Sequence, residues 1–147
     1  MLSYPWEFLQ VPFYQSMPSA SHWSGVVICS TAALGDAIVM LVAFWLTALV
    51  ARSGRWVVEP RAGHVALFVA TGLLLTVVIE HVAVRSQWGW RYEPNMLVIP
   101  LLGTGLAPVL QWLILPPLTV WFVRRQVIGA QHVLAAERAH EADSHRK

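Results

Sequence analysis

Charged residues are scarce in this sequence, and their scarcity indicates the class of protein. Only 12% of its 147 residues are Asp, Glu, Lys or Arg, while 56% are hydrophobic. Soluble domains carry about 25% charged residues. Because so few ionic groups could not cover a water-facing surface, we predict an integral membrane protein. No block of Lys and Arg is interleaved with aromatic residues, so we expect no nucleic-acid partner.

The sequence has a single cysteine and no recognisable catalytic motif. Cys29, inside an apolar run, is the only cysteine, which excludes an intrachain disulfide framework and a cysteine-rich metal site. The tail histidines His132, His140 and His145 are too loosely spaced to act as a helical ligand pair. Walker, Rossmann, nucleophile-elbow and metalloprotease motifs do not occur. We therefore predict neither a metal site nor a cofactor.

Three apolar stretches are long enough to cross a bilayer, which requires about 20 helical residues. They cover residues 25–51, 62–84 and 96–123. The first lacks the basic flank and cleavage site of a signal peptide, so we expect it to be retained. The sequence predicts an all-α integral membrane protein with three transmembrane helices. Its predicted parts are an interfacial segment on the outer face (1–24), a three-helix bundle (25–123) and a helical cytoplasmic tail (124–147).

The basic residues are distributed unevenly, and this predicts the orientation. The chain has no Lys or Arg before Arg52, three in the first connection (52–61), two in the second (85–95) and five in the tail. Cytoplasmic loops carry the excess of Lys and Arg in membrane proteins. We predict a multi-pass protein of the cell inner membrane, with the first connection and C-terminus in the cytoplasm and the N-terminus outside.

The third stretch is rich in helix-breaking residues. Interior proline removes a backbone hydrogen bond, so we expect this span to be kinked and packed against the other two. A re-entrant hairpin that turns near residues 103–108 is the alternative, and it would move the tail outside. The prolines are Pro100, Pro108, Pro116 and Pro117.

Aromatic residues cluster on the predicted outer side. Tyr, Trp and Phe recur through residues 4–23, where Glu7 is the only charge, and Trp88, Trp90 and Tyr92 lie in the second connection. Trp and Tyr favour the membrane–water interface, so a simple aromatic belt is one interpretation. A lid over a cavity that opens outward is the other.

Two acidic residues lie inside the predicted spans. A charged side chain at the bilayer centre costs at least about 2.5–3.5 kcal/mol, so such residues face the bundle interior and usually have a partner. Asp36 is predicted near mid-bilayer, on a face of small residues. Glu80 lies about one turn inside the outer end of the second span. It shares a helix face with Gly72 and Thr76 because the three recur at four-residue spacing.

A depth count brings further polar residues to the same levels. Gln111 is predicted at the depth of Asp36. Thr104 is predicted nearer Glu80, which the arginines of the second connection could also reach. The predicted cavity residues are Thr76, Thr104, Gln111, Trp112, Arg85 and Arg91, and the catalytic residues of an enzyme would be Glu80, Asp36 and His81. Alternatively, these polar groups only link the helices by hydrogen bonds.

Three functions are compatible with this pattern. A small bundle with small-residue faces favours an accessory or assembly subunit of a larger membrane complex. Buried carboxylates at different depths would instead suit acid–base catalysis on a polyprenoid, sterol-like or quinone-like molecule. A ring of Asp36 side chains in a homo-oligomer could carry protons or cations. The expected partners are the lipid bilayer and either further copies of the chain or other membrane subunits.

Overall fold

The chain folds into a small helical bundle. A computed structural model describes residues 2–15, 17, 20–86 and 89–144. The elements are α1 (Ser3–Gln10), a 3-10 turn (Val11–Phe13), α2 (His22–Ala51), α3 (Ala62–Arg85), β1 (Val98–Ile99), β2 (Thr104–Gly105) and α4 (Leu106–Ser144). Within the described residues, α2, α3 and the 106–138 part of α4 are long and apolar enough to cross a membrane. The prediction of three candidate spans is therefore confirmed.

The first two spans lie close to where the hydrophobic pattern places them. Helix α2 begins at His22, three residues before the predicted start, because Ser21 caps it. The Ser21 Oγ atom accepts a hydrogen bond from the backbone nitrogen of Ser24 at 3.2 Å. The helix ends where Arg52 adopts a left-handed conformation with φ of 53°. Helix α3 begins at Ala62, as predicted, and ends one residue beyond the predicted boundary.

The start of the third span was predicted wrongly. Residues 98–105 form an antiparallel hairpin in which Val98 pairs with Gly105, so the structure is not strictly all-α. Gly103 makes the turn possible because its φ of +65° is a conformation that glycine adopts at little cost. Helix α4 begins only at Leu106. A turn does lie near the expected re-entrant position, but a two-residue strand precedes it rather than a half-span helix.

The tail is not a separate helix either. Helix α4 continues from the apolar region to Ser144 and includes Pro116 and Pro117. Pro108 lies in its first turn, where a missing backbone N–H leaves no intrahelical bond unmade. A kink at the interior proline pair stays a prediction.

Helix α3 is the centre of the bundle, since it packs against both α2 and α4. The first connection folds under one end of the bundle and closes it with an apolar core. That core consists of Ala43, Ala48, Trp56, Phe68 and Val120. Halfway along α3, Trp112 of α4 lies directly on Gly72, where even a methyl group would overlap the indole ring. The apolar core around Trp56 therefore closes the bundle at the end where the first connection lies.

The outer surface of the bundle is apolar. Along α2, large hydrophobic side chains remain exposed, including Leu34 at 62%, Trp45 at 62% and Leu49 at 71%. A continuous apolar surface of this kind is unfavourable in water. It is the surface expected of helices that contact lipid tails.

Helix α1 also exposes apolar side chains and buries polar ones. Its buried residues are the polar ones, Ser3, Glu7 and Gln10, while Phe8 and Leu9 are exposed. The helix packs its polar face against α2 and α4. The N-terminal segment, predicted only to lie on the membrane interface, thus contributes one helix to the bundle.

Candidate functional site

A cavity of about 860 Å³ lies at the end of the bundle opposite the first connection. Its walls come from α1, α2, α3, the start of α4 and the second connection. Three carboxylic side chains line it, namely Glu7 from α1, Asp36 from α2 and Glu80 from α3. Buried charged groups are costly unless they are paired, so their convergence makes this cavity the candidate site.

Glu7 and Asp36 form one acidic cluster. The side-chain nitrogen of Gln111, on α4, donates hydrogen bonds to Asp36 Oδ2 and, at 3.4 Å, to Glu7 Oε1. Glu7 Oε2 accepts a second bond from Gln10 Nε2 at 2.8 Å. The two carboxyl groups also interact directly, and Ser3 contacts Asp36. Residues from three helices therefore hold this pair of acids together.

Glu80 forms a second cluster with the second connection. Its Oε2 atom accepts hydrogen bonds from the hydroxyl of Tyr92 and, at 3.1 Å, from the indole nitrogen of Trp90. The Tyr92 oxygen in turn accepts the backbone N–H of Gly105 at 3.0 Å. Burial, followed by the hydrogen bond to Glu80, raises the pKa of Tyr92 above its ordinary value. Tyr92 is therefore a protonated donor to the carboxyl group of Glu80.

The N-terminal segment and the second connection pair over this end of the bundle. The backbone nitrogen of Gln15 donates to Arg91 O, and that of Glu93 to Phe13 O, both at 2.9 Å. The Tyr14 ring packs on those of Trp90 and Tyr92, with centroid separations of 6.4 and 5.7 Å. Tyr14, Trp90 and Tyr92 therefore form an aromatic lid at this end of the bundle, and its position on the outer side stays a prediction. Trp88 lies outside the described residues.

Tyr14 is the part of this lid that faces all three acids. Its burial, followed by the negative charge of Glu80, raises its pKa, and Glu7 and Asp36 act in the same direction. Tyr14 also lines the cavity. It therefore remains a neutral hydroxyl group beside the carboxyl groups.

The structure brings together most of the predicted site residues. Gln111 contacts Asp36, as the depth count predicted. Of the predicted residues, Asp36, Thr76, Glu80, Arg91 and Gln111 line the cavity. Thr104 is fully buried beside this region, where its hydroxyl donates to Leu102 O at 3.4 Å. Trp112 is buried against Gly72 and reaches only a narrow space behind Asp36.

Two predicted residues point away from the site. His81 is exposed on α3, and Arg85 donates to its backbone oxygen at 3.2 Å rather than to Glu80. Arg85 was expected to be able to reach Glu80, but the hydrogen bonds to that carboxyl group come from Trp90 and Tyr92.

Sequence reasoning missed Glu7, Gln10 and Tyr14 as site residues. A usable signal was present, because polar residues at positions 3, 7 and 10 share one face of an otherwise apolar helix. No comparable local pattern marks Tyr14, which reaches the site only because two distant segments pair.

Among the described residues, no group of three or more His, Cys, Asp or Glu side chains is placed to hold a metal ion. His145 lies outside those residues. Comparison with protein-family models, with curated proteins and with solved structures finds no match. The site must therefore be interpreted from its own chemistry.

The arrangement offers two distinct chemical capabilities. The Glu80–Tyr92 pair can accept a proton and return it, with Gly105 fixing the hydroxyl. The Glu7–Asp36 pair sets two carboxyl groups side by side, and the amides of Gln10 and Gln111 hold them in place.

Proposed function

We propose that this protein is a membrane enzyme that moves a proton on a lipophilic molecule bound in the cavity. The observation that carries the proposal is the convergence of Glu7, Asp36 and Glu80 on one cavity of about 860 Å³. Carboxyl groups that border a cavity can contact a molecule bound in it as well as link helices. A polyprenoid, sterol-like or quinone-like body suits the apolar surroundings.

Glu80 is the proposed acid–base residue. It lies at the cavity wall with 5% of its surface exposed, and its carboxyl group accepts a hydrogen bond from the Tyr92 hydroxyl. Removing a proton from one substrate atom and returning it at another balances without a further reactant. Asp36 was considered from the sequence as a second acid or base. Its bonds to Gln111 and Glu7 support a role in orienting the substrate instead.

A cavity-filling substitution tests whether a molecule binds there. Gly35 lines the cavity, and no described atom lies within 4 Å of a Cβ atom added to it. Gly35→Leu should therefore fill the space without disturbing the fold. Leu34→Phe is the matched control because Leu34 is 62% exposed on the outer surface. Mass spectrometry of lipids that co-purify in mild detergent should show a species lost in Gly35→Leu and retained in Leu34→Phe.

Glu80→Gln tests the chemistry separately from binding. Loss of a general acid–base residue typically lowers the rate by about 10²–10⁴-fold, so the substrate should accumulate in cells. The control is Glu59→Gln, which changes an exposed carboxyl group in the first connection. Unchanged lipid and pigment profiles in the Glu80→Gln strain, relative to wild type, would contradict the proposal.

An accessory subunit of a larger complex is a second candidate, favoured by the last part of α4. Residues 129–138 are all exposed, so this helix extends beyond the bundle without a packing partner. Short helices are marginally stable in water without such contacts. Ending the chain after Arg125 should lower the mass of the complex isolated in lipid nanodiscs if this helix binds another subunit. An unchanged mass would remove that candidate.

We also propose a membrane and an orientation for the protein. The excess of Lys and Arg in the first connection and the tail supports a cell inner membrane protein with both in the cytoplasm. The cavity would then face outward. A proline kink in α4 would widen it between α3 and α4.

A further inference from the structure

We propose that the Glu7–Asp36 end of the cavity binds the protonated amino group of a lipophilic amine. This inference rests on the proposed function and names its substrate class. It depends on two features of the cavity: a buried carbonyl oxygen without a donor and carboxyl groups without an ion-pair partner among the described residues.

The first observation is an unused acceptor. Gln10 is 7% exposed and lines the cavity, and its Oε1 atom has no hydrogen-bond partner among the residues that the structure describes. Its nitrogen is fixed on Glu7 at 2.8 Å, so the orientation of the amide group is set. A buried carbonyl oxygen without a donor costs about 1–3 kcal/mol. A ligand that brings an N–H group would remove this cost.

The second observation is the charge of the cavity. Of the described residues that line it, Arg91 alone carries a positive side chain, and Arg91 is exposed. The three carboxyl groups have amide, indole and hydroxyl donors but no ion-pair partner among the described residues. Buried negative charge is stabilised when a positive group is close. The ligand that fits is therefore a cation.

Together the two observations define the chemical group. An ammonium ion has three N–H donors and a single positive charge. Its donors and its charge suit the acceptors of Glu7, Asp36 and Gln10 Oε1, whereas a quaternary ammonium has no donor and an alcohol has no charge.

Four matched probes test this assignment on the full chain in lipid nanodiscs. They are 1-aminoadamantane, its N,N,N-trimethyl derivative, 1-adamantanol and 1-adamantanecarboxylate, which share one apolar cage. Binding is measured by calorimetry and by tryptophan fluorescence, to which Trp90 contributes. We expect the amine to bind roughly tenfold or more tightly than the other three, in keeping with the strength of charged hydrogen bonds. Equal affinity for the alcohol or the trimethyl compound would overturn the proposal.

Variants locate the binding. Asp36→Asn should weaken amine binding roughly tenfold while leaving the weak binding of 1-adamantanol unchanged. Gln10→Leu should act in the same direction without changing the charge. Glu59→Gln is the control for an acid outside the cavity. Thermal unfolding of each variant shows whether it is folded, and an amine affinity that none of the cavity variants lowers would contradict the assignment.

The outcomes separate this inference from the proposed function. If the amine shows no preference but Gly35→Leu still removes a co-purifying neutral lipid, only the substrate class is wrong. If neither the probes nor the co-purified lipids respond to Gly35→Leu, the proposed function fails as well.

Discussion

Gln111 shows how one side chain can organise two carboxyl groups inside a bundle. A side-chain amide nitrogen carries two N–H donors, so it can serve Asp36 and Glu7 at the same time. A serine or threonine hydroxyl in the same place would have a single donor. The depth count predicted the contact with Asp36, because position along a straight helix follows from residue number. It could not predict the contact with Glu7, which depends on how α1 packs.

Gly72 provides a prediction at the residue scale. Trp112 lies so close to Gly72 that an added methyl group must displace the indole ring. Overpacking of this kind typically costs about 1–3 kcal/mol. We therefore expect Gly72→Ala to lower the free energy of unfolding by this amount, measured by denaturant titration in detergent micelles.

Gly129→Ala is the control for the Gly72 prediction. Gly129 lies on the exposed part of α4, with nothing within 4 Å of an added methyl group. Alanine is favoured over glycine inside a helix by about 0.5–1 kcal/mol, so this change should stabilise the protein slightly. If both alanine variants were as stable as wild type, α3 and α4 would not pack as described.

At the scale of elements, α1 has the reverse of the usual amphipathic pattern. Its polar residues face the cavity, and Phe8 and Leu9 face outward. In water this arrangement would be unfavourable, whereas in a bilayer it buries the costly groups and exposes the apolar ones. The sequence predicted an interfacial segment because a single acid in eight residues is compatible with that position. Only packing against α2 and α4 shows that Glu7 belongs to the site.

The hairpin before α4 was missed for a different reason. Residues 96–105 are as apolar as the helix that follows, so hydropathy alone places them in one span. The decisive features are local, namely Pro100 and the positive φ of Gly103. The hairpin positions Gly105 to donate to Tyr92, so an element absent from the prediction fixes part of the site.

The role of α1 can be tested through Cys29. This thiol lines the cavity and is 2% exposed, with α1 packed against its helix. Removal of residues 2–13 should expose it, so a maleimide should label it roughly tenfold faster or more, which corresponds to about 1.4 kcal/mol less protection. Labelling is followed by mass spectrometry of the intact protein. An Arg55→Cys substitution, in the exposed first connection, should react equally in both chains.

At the scale of the whole molecule, the three candidate spans were predictable because the length of an apolar stretch can be counted directly in the sequence. The location of the cavity was not, since it depends on which helices neighbour each other. Helix α3 lies between α2 and α4, and α1 with the second connection covers the open end. The opposite end is filled by Trp56 from the first connection. One end of the bundle is filled by side chains and the other holds the cavity, so the two ends can be told apart.

That difference makes the predicted orientation testable. Arg124 donates to Val58 O at 3.1 Å, so the first connection and the base of the tail lie at the same end of the bundle. This is the end that carries most of the basic residues, which favours the cytoplasm. His22, exposed at the start of α2, belongs to the other end. In a Cys29→Ala background, a membrane-impermeant maleimide added to intact cells should label His22→Cys and leave Arg55→Cys unlabelled until the cells are opened. The reverse pattern would place the cavity and its three acids on the cytoplasmic side, and the substrate would then have to reach the site from inside the cell.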